Sequence, residues 1–341
     1  MVQGSNLLNN LTRIILQVFF VFLGLQIAGL VGGFILGLFV GFLFNYRYLE
    51  VRFQRFTLVH LKSLFTFSFW IFLAASGLLI LTTADVIFIG YFMENADVGV
   101  YRVAVQLASL GVFVALALEN VLFPRFSLWN EEDKHEMIVT SLSRAVTYSL
   151  VLAIPFCVGG WILADKLLYY LYGDAFTTGT VALMVLLPLY VIYVFQYLQM
   201  MTLNSLNHPK DSFWITSVIV IVNIVLNVLL IPFIGITGAA IATLISILMS
   251  AILGYFVLGK YIHVEIEKKP ILHILVATGI MALVVGGMRF LFPIESLAYL
   301  IALIIIGSVV YFVLLLRIDR DIHDELKAMS TQIGIFWPEF L

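Results

Sequence analysis

Charge is what this chain has least of. Only 11% of its 341 residues are Asp, Glu, Lys or Arg, where soluble domains carry about 25%. So few charges cannot cover a water-facing surface, and a soluble globular protein is excluded. Cysteine is nearly absent too: the single Cys157, inside an apolar run, excludes disulfides within the chain and argues against a cysteine-ligated metal. The six histidines (His60, His135, His208, His263, His273 and His323) fall mainly in connecting loops or the tail. They show no ligand spacing, so no metal and no cofactor is expected. Sustained alternation of polar and apolar residues is missing as well, which excludes an outer-membrane barrel. The start "MVQGSNLLNN" has no basic n-region and runs into an apolar stretch too long for an h-region, so no signal peptide is expected.

What is present is apolar: 62% of residues, with a mean hydropathy of +1.10. The expected class is an all-α integral membrane protein. A span needs about twenty apolar residues. Ten such runs are found, at 8–26, 29–46, 65–91, 98–123, 141–163, 180–203, 213–233, 236–259, 271–290 and 297–316. The first two are one continuous run, split at "GLQIAGLVGG". The domain reading follows: two helices in 1–46, a basic loop 47–64, a six-helix lobe 65–259, two further helices 260–316, and an interfacial tail 317–341. With the N-terminus inside, 15 Lys and Arg residues fall on the cytoplasmic side and only Lys166 and Arg289 on the other, with Arg102 inside a span. Positive residues favour the cytoplasm, so both termini are expected there.

The chain repeats itself weakly. "GLVGGFILGL" from Gly29 matches "GITGAAIATL" from Gly235, with Gly29/Gly235, Gly32/Gly238, Ile35/Ile241 and Leu38/Leu244 in register. Small residues at this spacing let helices approach closely, and convergent packing chemistry is one explanation. The other is an internal duplication in which spans 1–2 and 7–8 end two homologous halves. The offset of 206 residues then places four further spans ahead of Met1, so the reading is one full lobe plus the remnant of a pseudo-symmetric first lobe.

Two stretches carry a family likeness. "ADVIFIGYFMENADVGVYRVAVQLASLGVFVALALENVLFPRFS" (84–127) and "LNSLNHPKDSFWITSVIVIVNIVLNVLLIPFIGITGAAIATLIS" (203–246) resemble the polysaccharide and oligosaccharide flippases of the multidrug/oligosaccharidyl-lipid/polysaccharide exporter superfamily. The first resembles that family's seventh and eighth helices, with an intramembrane Asp and a "DVGVY" turn. The second resembles its Asn-rich eleventh helix and the Gly-rich start of its twelfth. The resemblance implies two bundles that rock around a central cavity, with helices one to four lacking here.

Candidate site residues stand out because they are polar inside spans. A carboxylate deep in hydrocarbon costs roughly 2.5–3.5 kcal/mol on insertion scales. Asp85, about 9 Å from the end of its span, and Arg102, about 6 Å into the next, are expected to pair. That pair either locks two helices together or opens to release Arg102 toward a substrate phosphate, which a guanidinium fork fits. Gln106, one turn on, shares Arg102's face. Glu119 is either an interfacial acid reaching Arg125 or a group coupled to the cycle. Gln196, Gln199 and Asn204, and Asn223 with Asn227 on one face of the next span, are interhelical glue or ligand contacts. The assignment is therefore Arg102, Gln106, Asn223 and Asn227 for substrate, and Asp85 and Glu119 for ion coupling or gating. Pro155, Pro188 and Pro232 mark kinks or ends, with Pro188 the expected bend.

The expected function is translocation of a lipid-linked oligosaccharide across the cytoplasmic membrane by alternating access. The partners are the bilayer, a glycan lipid with a phosphate or pyrophosphate headgroup, a proton or sodium ion, and a separately encoded N-terminal segment. The rivals are a drug or cation antiporter of the same superfamily and a non-transporting scaffold of glycan assembly. A glycosyltransferase or polymerase needs a sizeable outer catalytic loop, and "ADKLLYYLYGDAFTTGT" is short with few acids; no enzyme is expected. DNA upstream of the Met1 codon tests whether the first lobe is continuous with this chain: about 140 in-frame codons encoding four apolar spans make a full transporter, and a stop directly upstream favours a split or degenerate protein.

Overall fold

The computed structural model describes residues 2–47, 58–263, 267–324 and 327, and these are helical apart from short turns. Two compact units are distinguished, Met1–Lys62 and Ser63–Leu341. Most of the basic loop expected at 47–64, and the last fourteen residues of the tail, lie outside the described residues.

The first unit is a helical hairpin of α1 (Val2–Phe22) and α2 (Gln26–Arg47), turned at Gly24, whose φ of +81° suits glycine. Its helices meet through glycine. A Cβ on Gly33 would come within 2.6 Å of the Gln17 backbone nitrogen, and one on Gly37 within 2.8 Å of the Arg13 Cα. The two backbones touch because these positions lack side chains.

The second unit takes in most of α3 (Leu58–Phe92), then α4 (Asn95–Ser109), a 3₁₀ turn at Leu110–Val112, and α5 (Phe113–Glu131). It continues with α6 (His135–Tyr172), α7 (Thr180–Ser205), α8 (Pro209–Leu258), α9 (Lys268–Leu291) and α10 (Leu297–Ile318). Its hub is α7, which packs against α4, α5, α6 and α8 and fully buries Leu183, Leu186, Leu198 and Leu203. The outside is apolar instead of charged. Phe65, Phe72, Ile87, Phe233 and Phe290 are all more than 60% exposed, which is favourable only where the surroundings are hydrocarbon. Seven of the described helices are long and apolar enough to cross a membrane. The protein is an all-α, multi-pass membrane protein.

The ten expected spans map onto these elements with three differences. Spans 7 and 8 are one 50-residue element, α8, broken at Ile234 and Gly235. Gly235 has φ +59° and ψ −143°, a combination essentially reserved for glycine. Pro232, three residues earlier, removes an N–H from the ladder just before this break. After the bend Gly238 lies against the first half: a Cβ there would be 2.7 Å from the Leu230 carbonyl. Both glycine-rich matches thus begin a helix that doubles back closely on its predecessor. Secondly, span 4 is interrupted by the Leu110–Val112 3₁₀ turn, which carries no proline and was not anticipated. Thirdly, α7 runs through Pro188 and α6 through Pro155 without a break in helical assignment, whereas of the three prolines expected at kinks or ends Pro232 is the one just before a break.

Contacts between helix ends agree with the alternation of spans. Arg289, in the last turn of α9, pairs with Asp165 at 3.1 Å and donates to the Ile162 carbonyl near the end of α6. His273 in the first turns of α9 meets Asp319 just after α10 at 2.8 Å. Gly235→Ala is expected to cost about 1–3 kcal/mol, because the backbone there has no room for an L-side chain. The apparent melting temperature in detergent should fall accordingly, while Gly279→Ala, where a Cβ meets nothing within 4 Å, should leave it unchanged.

Candidate functional site

Asp85 lies near the end of α3 with only 4% of its surface exposed. An unsolvated carboxylate at this depth must find its hydrogen bonds within the protein, and it finds four donors. Its Oδ2 accepts from the Tyr101 hydroxyl and from the Thr243 hydroxyl, each at 2.6 Å. Its Oδ1 accepts from Asn227 Nδ2 at 2.7 Å and, at the long limit, from Asn223 Nδ2 at 3.5 Å. The donors are themselves linked. Asn227 Nδ2 also donates to Asn223 Oδ1 at 2.9 Å, and Asn223 Nδ2 to Thr243 Oγ1 at 3.1 Å. Four donors fill the lone-pair sites of a carboxylate.

Local structure explains the convergence. Asn223 and Asn227 are one turn apart in the first half of α8, so both amides face α3. Thr243 is in the second half of the same element. Only the reversal at Gly235 lets both halves address one acid. Tyr101 comes from the second turn of α4, which begins at Asn95 after a turn closed by a capping box: the Glu94 side chain accepts from the Asp97 backbone, and the Asp97 side chain from the Glu94 backbone. α3, α4 and both halves of α8 are therefore tied to Asp85.

This corrects one expectation: Asp85 and Arg102 do not form an ion pair. The residue that reaches Asp85 is Tyr101, fully buried, and Arg102, one step or about 100° around the helix, points elsewhere. It is exposed and lines a cavity of about 530 Å³ together with Gln106, Tyr190, Tyr193, Thr243 and the edge of Asp85. That volume falls within the ~300–1,000 Å³ of small-molecule sites. Arg102, Gln106 and Asp85 thus share one cavity wall. Asn223 and Asn227, with no exposed surface, stand behind the acid, not in the cavity.

Glu119 also has an unexpected partner. Its Oε2 accepts a hydrogen bond from the Tyr197 hydroxyl of α7, where Arg125 or the loop was expected. Asn120 beside it donates to the Leu116 carbonyl at 3.0 Å and takes no part. Of the α7 amides, the Gln196 and Gln199 oxygens are buried without a hydrogen-bond partner among the described residues, so interhelical bonding is found for Asn223 and Asn227 but not for these two oxygens. Thr243, Tyr101 and the α7 tyrosines were not singled out from the sequence. A signal was there: Thr243 is the one hydroxyl in the "GAAIATL" run, and Tyr101, Tyr190, Tyr193 and Tyr197 are phenols within apolar spans, where a buried O–H needs a partner.

Comparison with known proteins follows this geometry. A family model described as "Polysaccharide biosynthesis protein" matches residues 1–181. The chain is 26% identical over 288 residues to the "Probable low-salt glycan biosynthesis flippase Agl15" of Haloferax volcanii, a match covering 84% of this chain and 61% of that protein. It is 30% identical over 251 residues to the "Probable flippase AglR" of the same organism, covering 73% of this chain and 52% of that one. The chain thus spans roughly half to three-fifths of the length of these relatives. Among solved structures, the lipid II flippase MurJ in an inward closed conformation superposes with a TM-score of 0.68 at 19% identity, over 93% of this chain and 67% of that one. At that identity the likeness is one of fold.

Two substitutions separate the roles found here. Asp85→Ala takes from the Tyr101 and Thr243 hydroxyls the one acceptor each has among the described residues, while Asn223 and Asn227 keep another, and each buried group so stranded costs about 1–3 kcal/mol. The melting temperature should therefore drop steeply. Arg102→Ala, exposed and outside that network, should change stability by no more than about 0.5 kcal/mol. An equal drop in both would mean that Arg102 belongs to the lock after all.

Proposed function

The matched family model covers more than half of the chain, which therefore belongs to this family of polysaccharide biosynthesis proteins, and from that premise we propose that it translocates a lipid-linked oligosaccharide across the cytoplasmic membrane. The observation that carries the reading is the cavity wall on which an exposed Arg102 and Gln106 stand beside a buried, fully hydrogen-bonded Asp85, inside a helical unit whose outer surface is apolar. A glycan headgroup cannot cross hydrocarbon unaided, because every desolvated hydroxyl costs several kcal/mol without a partner. A cavity with its own polar groups supplies those partners. The names given to the curated relatives, both called flippases, support the same class of cargo.

In this reading Arg102 holds the phosphate or pyrophosphate of the carrier lipid, where its fork matches two oxygens at once. Gln106, one turn away, supplies a donor and an acceptor to the same group. Asp85 is the coupling residue: a proton or a sodium ion arriving at the carboxylate competes with Tyr101, Thr243 and the two asparagines for its lone pairs. Loosening those bonds lets α3, α4 and α8 move relative to one another, which is the physical content of alternating access here. Both termini are cytoplasmic in this scheme, and the Asp85 end of α3 faces outward. An arginine on the cavity wall disfavours a cationic cargo, since bringing a like charge into a low-dielectric cavity is repelled. The drug or cation antiporter is for that reason the weaker reading.

Deletion of the gene tests the proposal. Unflipped lipid-linked precursor should accumulate, and complementation with Arg102→Ala should restore less than about a tenth of the wild-type translocation, with the protein still folded and in the membrane. Asp85→Asn should retain binding but lose any acceleration by an imposed ion gradient. Normal surface glycan in the deletion strain, with no second flippase present, would sink the reading.

A further inference from the structure

Three tyrosines of α7 have no part in the Asp85 network, yet they share one side of the helix. Tyr190, Tyr193 and Tyr197 are spaced three and four residues apart, so they stack along a single face. Tyr190 and Tyr193 have ring centroids 5.8 Å apart, as do Tyr193 and Tyr197. The ladder runs about 10 Å along the helix axis, at 1.5 Å per residue. Tyr190 and Tyr193 line the same cavity as Arg102 and Gln106. Tyr197 ends the ladder by donating to Glu119, one turn beyond Leu116, itself a cavity-lining residue.

The hydroxyls distinguish this face from ordinary core packing. A buried tyrosine usually finds a hydrogen-bond partner for its O–H. Tyr101, Tyr197 and Tyr311 do so, with Asp85, Glu119 and the Val151 carbonyl respectively. Among the described residues, the Tyr190 and Tyr193 hydroxyls have no such bond, although both rings are partly buried. Glu119 likewise uses one carboxylate oxygen on Tyr197 and leaves the other without a protein partner among those residues. The cavity therefore offers the ring faces and hydroxyls of Tyr190 and Tyr193, and the free Glu119 oxygen lies just past its lining, one turn beyond Leu116.

We propose that Tyr190 and Tyr193, extended by the Tyr197-held Glu119, form a sugar-binding platform in the Arg102 cavity. This inference rests on the reading that the cargo is a glycan lipid. A pyranose has one face made largely of C–H bonds and a rim of hydroxyls. Its apolar face lies against an aromatic ring, and its rim donates to a carboxylate or exchanges hydrogen bonds with phenols. Charge-assisted bonds to Glu119 are the stronger of these. An acyl chain would gain nothing from the phenols or the acid and would leave them desolvated, at a cost. Because many pyranoses present such an apolar face, the platform holds the glycan without demanding one sequence of sugars, while Arg102 holds the phosphate.

The test uses the full chain in nanodiscs and two probes, a polyprenyl phosphate without sugar and the same lipid carrying a single glucose. Wild type should bind the glucosylated lipid more tightly. Tyr193→Leu should weaken that binding roughly tenfold and leave the bare lipid within about twofold, which also shows that the variant is folded. Tyr193→Phe, keeping the ring, should stay within about threefold of wild type for both. Arg102→Ala should weaken both lipids alike. The platform is overturned if wild type does not distinguish the two lipids, if Tyr193→Leu weakens both equally, or if Phe is as damaging as Leu. Selective loss in Tyr193→Leu with no effect of Arg102→Ala would uphold the platform and remove the phosphate role. Binding of neither lipid by wild type would overturn the flippase reading and the platform with it.

Discussion

A carboxylate that has left water must be given back its hydrogen bonds, and much of the arrangement of the second unit answers to that demand at Asp85. The acid takes donors from α4 and from both halves of α8. No single neighbouring helix could saturate it. The consequence is mechanical: helices that lipid alone would not hold together, because hydrocarbon is as apolar as their own side chains, are joined through one polar node. In the proposed reading, the same node is where adding or removing one charge would change their relative positions.

Adjacent residues on α4 do opposite work because a helix turns by about 100° per residue. Tyr101 faces inward and completes the lock, and Arg102 faces the cavity and stays available. A single turn thus joins the node to the cavity wall. A short distance along, α4 passes into α5 through the 3₁₀ turn at Leu110–Val112, where tighter hydrogen bonding marks a point of altered helix geometry. Val112 and Leu116 on either side of that junction line the same cavity. The α7 tyrosines line that cavity at Tyr190 and Tyr193, and the row continues along the helix through Tyr197 to Glu119.

Glycine serves the fold in two separate ways. In α2 it is chosen for what it lacks: Gly33 and Gly37 let two helices touch backbone to backbone. At Gly235 it is chosen for the conformation it can adopt, since the reversal there depends on a φ/ψ combination of +59° and −143° that is essentially reserved for glycine. The likeness between "GLVGGFILGL" and "GITGAAIATL" is one of composition and of close approach to a preceding helix. It does not extend to the positive φ, which in the first hairpin belongs to Gly24, ahead of the matched stretch. Fold likeness to a lipid flippase at 19% identity locates none of these residues, and the site is argued from its own atoms.

What the chain order alone determined was the solvent, the helices and the list of suspects. Low charge and long apolar runs dictate a membrane bundle, because an unpaired backbone in hydrocarbon must close its own hydrogen bonds. Polar residues inside spans are costly enough to be conspicuous, so Asp85, Arg102, Gln106, Glu119, Asn223 and Asn227 could be picked out by type and depth. Partnership was another matter. Coulomb attraction favoured Asp85 with Arg102, yet a carboxylate with four neutral donors in van der Waals contact needs no cation, and which donors arrive depends on helix rotation and on the bend at Gly235. Those are properties of packing among helices distant in sequence. Only the tertiary structure decided them, and it is there that Tyr101 and Thr243 were found to be partners of Asp85.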